Sequence, residues 1–250
     1  SFNPSNNSWE NQSPGHPFAR YTTDIFIGPN GDKWLSVDPN EGGGIVVYNE
    51  TSNRERYLNL NGGQGGLSSN VVTDIELDQD FFVWVATSQG IAFFTNPYGI
   101  LEGGSLTASV PIFKNRLLLR NEYITDIGID PANRKWFGTR SNGIWLFSET
   151  GEELIYHFTI NNSPLPSNNI LSLAIEPVSG EVLITTDKGA ISFRSDATIG
   201  TDEHQNVKVY PNPVAPSFTG QIVIEGLVNN AQLKITDVSG NLVKEVQANG

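Results

Sequence analysis

Four arginines make two close pairs read as lying on connecting segments, Arg54 with Arg56 and Arg116 with Arg120. A guanidinium presents a planar fork of donors that matches phosphate or carboxylate. These pairs are therefore the candidate anion-binding residues, and the spacing of apolar residues places them on connecting segments, where a solvated loop is the competing reading. Two tryptophans, Trp9 and Trp145, stand apart from the other three and are the candidate platforms for stacking a sugar ring. His16, His157 and His204 lie far apart, and none is followed two to four positions later by a second ligand, so no zinc-type site is predicted. The run NGGQGG at 61–66 lacks the Lys-Ser/Thr ending of a phosphate loop and is followed by strands, which makes it a loop. No nucleophile elbow, cysteine or paired acidic motif appears, so no catalytic residues, metal ligands or cofactors are assigned.

The formal charge of −12 argues against nucleic acid and obliges any anionic ligand to find a local basic patch. Hydrophobic residues at 38% and charged residues at 17% describe a globular chain. No apolar run reaches 18 residues, so no membrane-spanning helix is expected. Gly 25 and Pro 14 in 250 residues point to a turn-dense, all-β architecture.

What positions the candidate residues is a repeat. TDIFIGPNGDKW at 23–34, TDIELDQDFFVW at 73–84 and TDIGIDPANRKW at 125–136 align, with a weaker copy, SLAIEPVSGEV, at 172–182. The shared positions Asp24, Asp74, Asp126 and Ser172 step by 50, 52 and 46 residues. After Trp34, Trp84, Trp136 and, in the fourth copy, Val182, a glycine opens another apolar strand: Gly44, Gly90, Gly143 and Gly189. A further apolar stretch follows the first three copies, RYLNLN (56–61), SVPIFKN (109–115) and ELIYHFTI (153–160). Four strands per unit of this length predict propeller blades, the fourth lacking its outer strand. The three register tryptophans are expected to pack between blades, and the three aspartates to hydrogen-bond a neighbouring blade or turn.

The repeat resembles the two-component-regulator type of propeller, in which turns like Leu67-Ser68-Ser69-Asn70 and Leu165-Pro166-Ser167-Asn168 precede each blade. That resemblance implies a larger propeller of about seven blades, with four in this chain. Residues 1–200 are read as blades, 201–214 as a linker, and 215–250 as the truncated first half of an Ig-like sandwich. In the linker, Tyr210, Pro211, Asn212 and Pro213 spell a stiff, extended segment, because proline gives no N–H to a ladder. Beyond it, GQIVIEGL (220–227) reads as a strand and AQLKITDVSGNLVKEVQ (231–247) as a hairpin turning at Asp237 to Asn241.

VYPNPV (209–214), GQIVIEGL and LKITDVSGNLV (233–243) resemble the C-terminal domain of the PorZ family of the Bacteroidetes type IX secretion system. The resemblance implies a non-enzymatic, exported component on the outer face of the cell. Its implied partners are a PorU-like sortase, PorV and PorQ, with anionic lipopolysaccharide as a ligand presented to the sortase. Two other readings fit part of the pattern: a periplasmic sensor propeller of a hybrid two-component regulator, and an exported cargo protein whose tail is a sorting signal.

Overall fold

In the computed structural model, residues 2–9, 14–199, 207–215, 217–228 and 231–248 are described; His204 lies outside them. Each repeat copy folds as an antiparallel sheet whose strands follow one another in chain order. The first sheet comprises Thr22–Ile27, Lys33–Val37, Ile45–Asn49 and Arg54–Leu58. The third comprises Ile124–Ile129, Lys135–Thr139, Ile144–Phe147 and Leu154–Phe158. The second has three strands, Val72–Leu77, Val83–Thr87 and Gly90–Phe94, and the fourth has Ile170–Glu176, Glu181–Thr186 and Gly189–Arg194. No helix among the described residues is long and apolar enough to cross a membrane.

The Thr-Asp pair of each copy sits at a β-bulge. The register slips between Thr22 and Asp24, between Val72 and Asp74, and between Ile124 and Asp126, leaving the threonine unpaired. Each aspartate then accepts the N–H of the residue after it, at 2.8, 2.8 and 3.0 Å for Ile25, Ile75 and Ile127. The glycine that opens each third strand has positive φ in all four copies, from 72° to 134°. At Gly143 a side chain would also collide with the Phe158 carbonyl.

Three expectations are corrected. The second sheet has no regular outer strand at 109–115: Ser109 makes a single bridge to Phe93, and the chain then turns into a hairpin of Ile112–Phe113 and Arg116–Leu117. Pro111, with no N–H, interrupts the ladder there. Arg54 and Arg56 lie in the outer strand of the first sheet rather than in a connection. In the fourth copy Leu183, not Val182, holds the tryptophan position. Thr186 Oγ1 bonds the Gly189 carbonyl at 2.7 Å as Thr87 Oγ1 bonds that of Gly90 at 2.8 Å, and Trp84 and Leu183 each lie three residues before that threonine. Val182 and Ile184 are buried as Val83 and Val85 are beside Trp84, while Leu183 between them is 48% exposed.

The chain divides into two compact units. One contains Ser1–Ile129, Asn133–Leu173 and Thr185–Ala190, and the other contains Asp130–Ala132, Ala174–Ile184 and Ile191–Gly250, so the division runs through the fourth sheet. The core of the first unit lies between successive sheets. Trp34 packs with Ile75, Val85 and Phe94 of the second sheet, and Trp84 with Ile124, Ile127 and Phe137 of the third. Trp34, Trp84 and Trp136 are all buried.

In the second unit, Lys208–Tyr210 pairs antiparallel with Val223–Glu225, and Gln232–Thr236 pairs with Leu242–Gln247. The Tyr210–Pro211 and Asn212–Pro213 peptide bonds are both cis. Tyr210 donates its phenol to Glu225 at 2.5 Å, and Arg194 meets the same carboxylate at 3.2 Å. The hairpin turn is closed by Asp237, whose carboxylate accepts the Ser239 and Asn241 N–H groups, while Gly240 supplies the positive φ.

Candidate functional site

The turns that lead into the sheets show where the repeat departs from its own pattern. In the turn before the second sheet, the Asn70 carbonyl accepts the Gly44 N–H at 2.7 Å and Asn70 Oδ1 accepts the Leu60 N–H at 2.8 Å. In the turn before the fourth, Asn168 does the same to Gly143 at 3.0 Å and Ile160 at 2.9 Å. The serines join in: Ser68 Oγ donates to the Ile91 carbonyl at 2.7 Å, and Ser69 Oγ and Ser167 Oγ each accept a backbone N–H two residues on. These side chains fasten one sheet to the next.

The turn before the third sheet reads Leu119-Arg120-Asn121-Glu122. The Glu122 carbonyl keeps the backbone bond to Gly90 at 2.8 Å, but its side chain is bound by Asn142 instead, at 2.6 Å. Arg120 replaces the serine that bonds Ile91. Ahead of this turn stands the added hairpin, whose tip residues Lys114 and Asn115 have φ of 49° and 62°. Phe113 anchors it edge-on to Phe147 at 5.2 Å, and buried Leu118 fixes its return.

Hairpin, turn and Trp145 of the third sheet line an open cavity of about 1040 Å³, with Lys114, Arg116, Arg120 and Glu122 among its residues. Arg116 and Arg120 are exposed and have no carboxylate partner among the described residues. Trp145 is half-buried, stacked on its cross-strand neighbour His157 at 3.5 Å and 13°, with its Nε1 buried and unpartnered. Three cations stand beside an indole here, a local basic surface in a chain of net charge −12.

The other candidate residues lie elsewhere. Arg54 faces Glu102 at 3.5 Å, and Arg56 donates to the Ile100 and Gly104 carbonyls at 2.9 and 2.5 Å, holding the 97–105 segment. Trp9 is 81% exposed on a two-residue ribbon with Phe2. His16 stacks on Tyr57. No group of three potential metal ligands occurs among the described residues.

The bonds expected from the repeat aspartates to a neighbouring sheet are made by Asp74 and Asp126, but sequence reasoning missed that these two carboxylates pair. Asp74 Oδ2 and Asp126 Oδ1 both accept the Ile127 N–H, at 2.8 and 3.0 Å, and Asp126 Oδ2 accepts that of Leu173 at 2.5 Å. Burial, and then the adjoining Asp74 carboxyl, push Asp126 up to about 8. Burial and Asp74 together raise Glu76 to about 7. Shifted carboxyls can mark acid–base chemistry, yet every oxygen of Asp74 and Asp126 accepts a backbone N–H, so the pair works as a clamp. The signal was the common repeat position: equal places in successive sheets are neighbours in space.

No protein-family model and no curated protein matches the chain. Among solved structures it is similar to PorZ, an essential bacterial surface component of the type-IX secretion system of Porphyromonas gingivalis. The identity is 28%, over 99% of this chain and 36% of that one, with a TM-score of 0.73. The extracellular domain of a Bacteroides thetaiotaomicron protein assigned as a hybrid two component system (B. thetaiotaomicron) aligns at 21% identity over 71% of this chain and 21% of that one, TM-score 0.52. An ancestral GH74 enzyme aligns at 15% identity over 78% and 26%, TM-score 0.51. The last two likenesses are of fold alone. The chain spans about a third of the length of PorZ.

Proposed function

We propose that this chain is part of a non-enzymatic, PorZ-like surface component of a type IX secretion system. The observation that carries the reading is the likeness to PorZ along 99% of the chain, tail included. In this reading the sheets are blades of a propeller with more members than four, and the strands after Tyr210 begin an Ig-like sandwich. The exposed face of the first sheet supports the larger ring. Ile25 is 57% exposed, whereas its counterparts Ile75 and Ile127, which meet the preceding sheet, are 3% and 5% exposed.

The protein would act through contacts with a PorU-like sortase, PorV and PorQ. It would hold anionic lipopolysaccharide where Arg116 and Arg120 meet the glycan's charge and Trp145 its ring. Two measurements test this. Surface biotinylation and co-purification should find the full-length protein outside the cell with the sortase; a cytoplasmic protein lacking that partner would refute the assignment. Purified anionic lipopolysaccharide should bind the wild type and lose affinity at least tenfold in Arg116→Gln/Arg120→Gln; equal binding would remove the cavity from the proposal.

A further inference from the structure

We infer a second anion site, separate from the hairpin cavity and independent of the PorZ reading, centred on Arg140. The repeat fixes its backbone. The residue after the second strand donates its N–H to the residue before the first strand in all four copies: Asp38 to Tyr21, Ser88 to Val71, Arg140 to Tyr123 and Asp187 to Asn169, at 2.9, 2.9, 3.0 and 3.3 Å. Side chains at this position are thereby free to vary without disturbing the sheet. In three copies they serve the chain itself. Asp38 caps the Asn40 N–H, Ser88 meets Ser69, and Asp187 is held by Ser167 and Asn169.

Arg140 does none of this. Its guanidinium carbon lies 4.3 Å from the centroid of the Tyr123 ring, and it has no carboxylate partner among the described residues. Stacking orders the guanidinium plane and leaves its N–H edge available, the arrangement in which arginine takes an oxyanion in two parallel bonds. Arg140 and Tyr123 line a cavity of about 320 Å³ together with Thr73, Thr125 and Asn169. Thr73 Oγ1 donates to the Ile124 carbonyl, but Thr125 Oγ1 is buried without a partner. Hydroxyl and amide side chains around a cation with no carboxylate partner make a polar surface suited to an oxyanion. The volume suits one pyranose-sized ring, so the ligand class is a monosaccharide bearing a carboxylate or phosphate.

Amide and arginine-side-chain NMR titration of the whole chain separates the sources. Glucuronate and glucose 6-phosphate should both shift Arg140 Nε and the Thr125 and Asn169 amides, with glucose at equal concentration causing no shift. Arg140→Gln should weaken binding at least tenfold and Arg140→Lys less, while Arg116→Gln/Arg120→Gln leaves these shifts unchanged. Equal shifts with glucose, or undiminished binding by Arg140→Gln, would overturn the site. Inorganic phosphate binding as tightly as the sugar phosphate would overturn its saccharide character. Because the PorZ reading is tested by surface location and lipopolysaccharide, either proposal can fail alone.

Discussion

The junction between the first and second sheets and that between the second and third come from the same repeat and are held by different chemistry. In the first, Trp34 sits in an apolar cluster and its Nε1 has no partner, because Gly28 occupies the place of Asp78 and lies against the indole. Thr23 bonds within its own sheet. In the second, Asp78 accepts Trp84 Nε1 at 2.8 Å and pairs with buried Lys135 at 3.0 Å. Lys135 also donates to the Asn133 carbonyl, and Asp74 and Thr73 reach across to Ile127 and Ile124. One junction is fastened from its rim by the Asn70 turn, the other from its interior. Interior fastening is what leaves the turn at 119–122 available to carry Arg120.

The largest test of that contrast is Asp78→Ala. It strands the Lys135 ammonium, which burial already pulls below the ordinary lysine value against the opposing pull of Asp78. Breaking a buried pair on one side costs about 3–5 kcal/mol, measurable as a lowered urea midpoint. Asp78→Leu with Lys135→Met should recover much of that loss, since apolar replacement of both partners is often neutral or better. A double variant as unstable as the single would show that the pair's hydrogen bonds, not the stranded charge, hold the junction.

The tryptophans sharpen the comparison at smaller scale. Trp84→Phe forfeits the bond to Asp78 and the Lys135 contact over its ring, 5.2 Å from the centroid. Trp34→Phe loses no hydrogen bond. Beyond the volume change common to both, the Trp84 variant should therefore be less stable by about 1.5–3 kcal/mol, the range for a hydrogen bond to a charged group. Equal losses would dissolve the distinction between the junctions.

Much of this arrangement is legible in the sequence because burial repeats with the chain. The steps of 50, 52 and 46 residues gave the sheets, and the recurrent tryptophans their interior positions. What escaped did so for local reasons. The turn between Glu176 and Glu181 shifts the fourth copy by one residue, which exchanges the two faces of a strand and puts Leu183 where Val182 was expected. Pro111 converts an expected outer strand into a bridge and a hairpin. The cavity itself was half legible: Arg116, Arg120 and Trp145 were separate candidates, but their meeting depends on the hairpin's Phe113 finding Phe147, a contact that no periodicity encodes. The Asp74–Asp126 clamp was hidden by 52 residues of separation.

That clamp gives the second junction a pH dependence the first lacks. Asp126 keeps its proton in the folded chain up to about pH 8, while an unfolded aspartate releases it near 3.9. Between those values the folded chain binds the extra proton, so stability falls as pH rises from about 4 to about 8. Glu76, raised to about 7, acts in the same direction. Urea midpoints should therefore drop over this range, and Asp126→Asn, neutral and able to keep the Ile127 bond, should flatten the slope. An unchanged slope would mean that the carboxyls are not buried together in solution.

The smallest stability effect is also the most discriminating, because it compares the two turns at one equivalent position. Ser68→Ala removes the bond to the Ile91 carbonyl and should cost about 1 kcal/mol. Arg120→Ser removes an exposed side chain with no carboxylate partner and should stay within about 0.5 kcal/mol of wild type. Only the second substitution should reduce lipopolysaccharide binding. If Arg120→Ser destabilises the fold as much as Ser68→Ala, the third sheet's turn is fastening after all, and the basic cavity is a by-product of that role. If it leaves stability alone and binding falls, the repeat has kept its backbone bond at Glu122 while giving its side chains to a ligand.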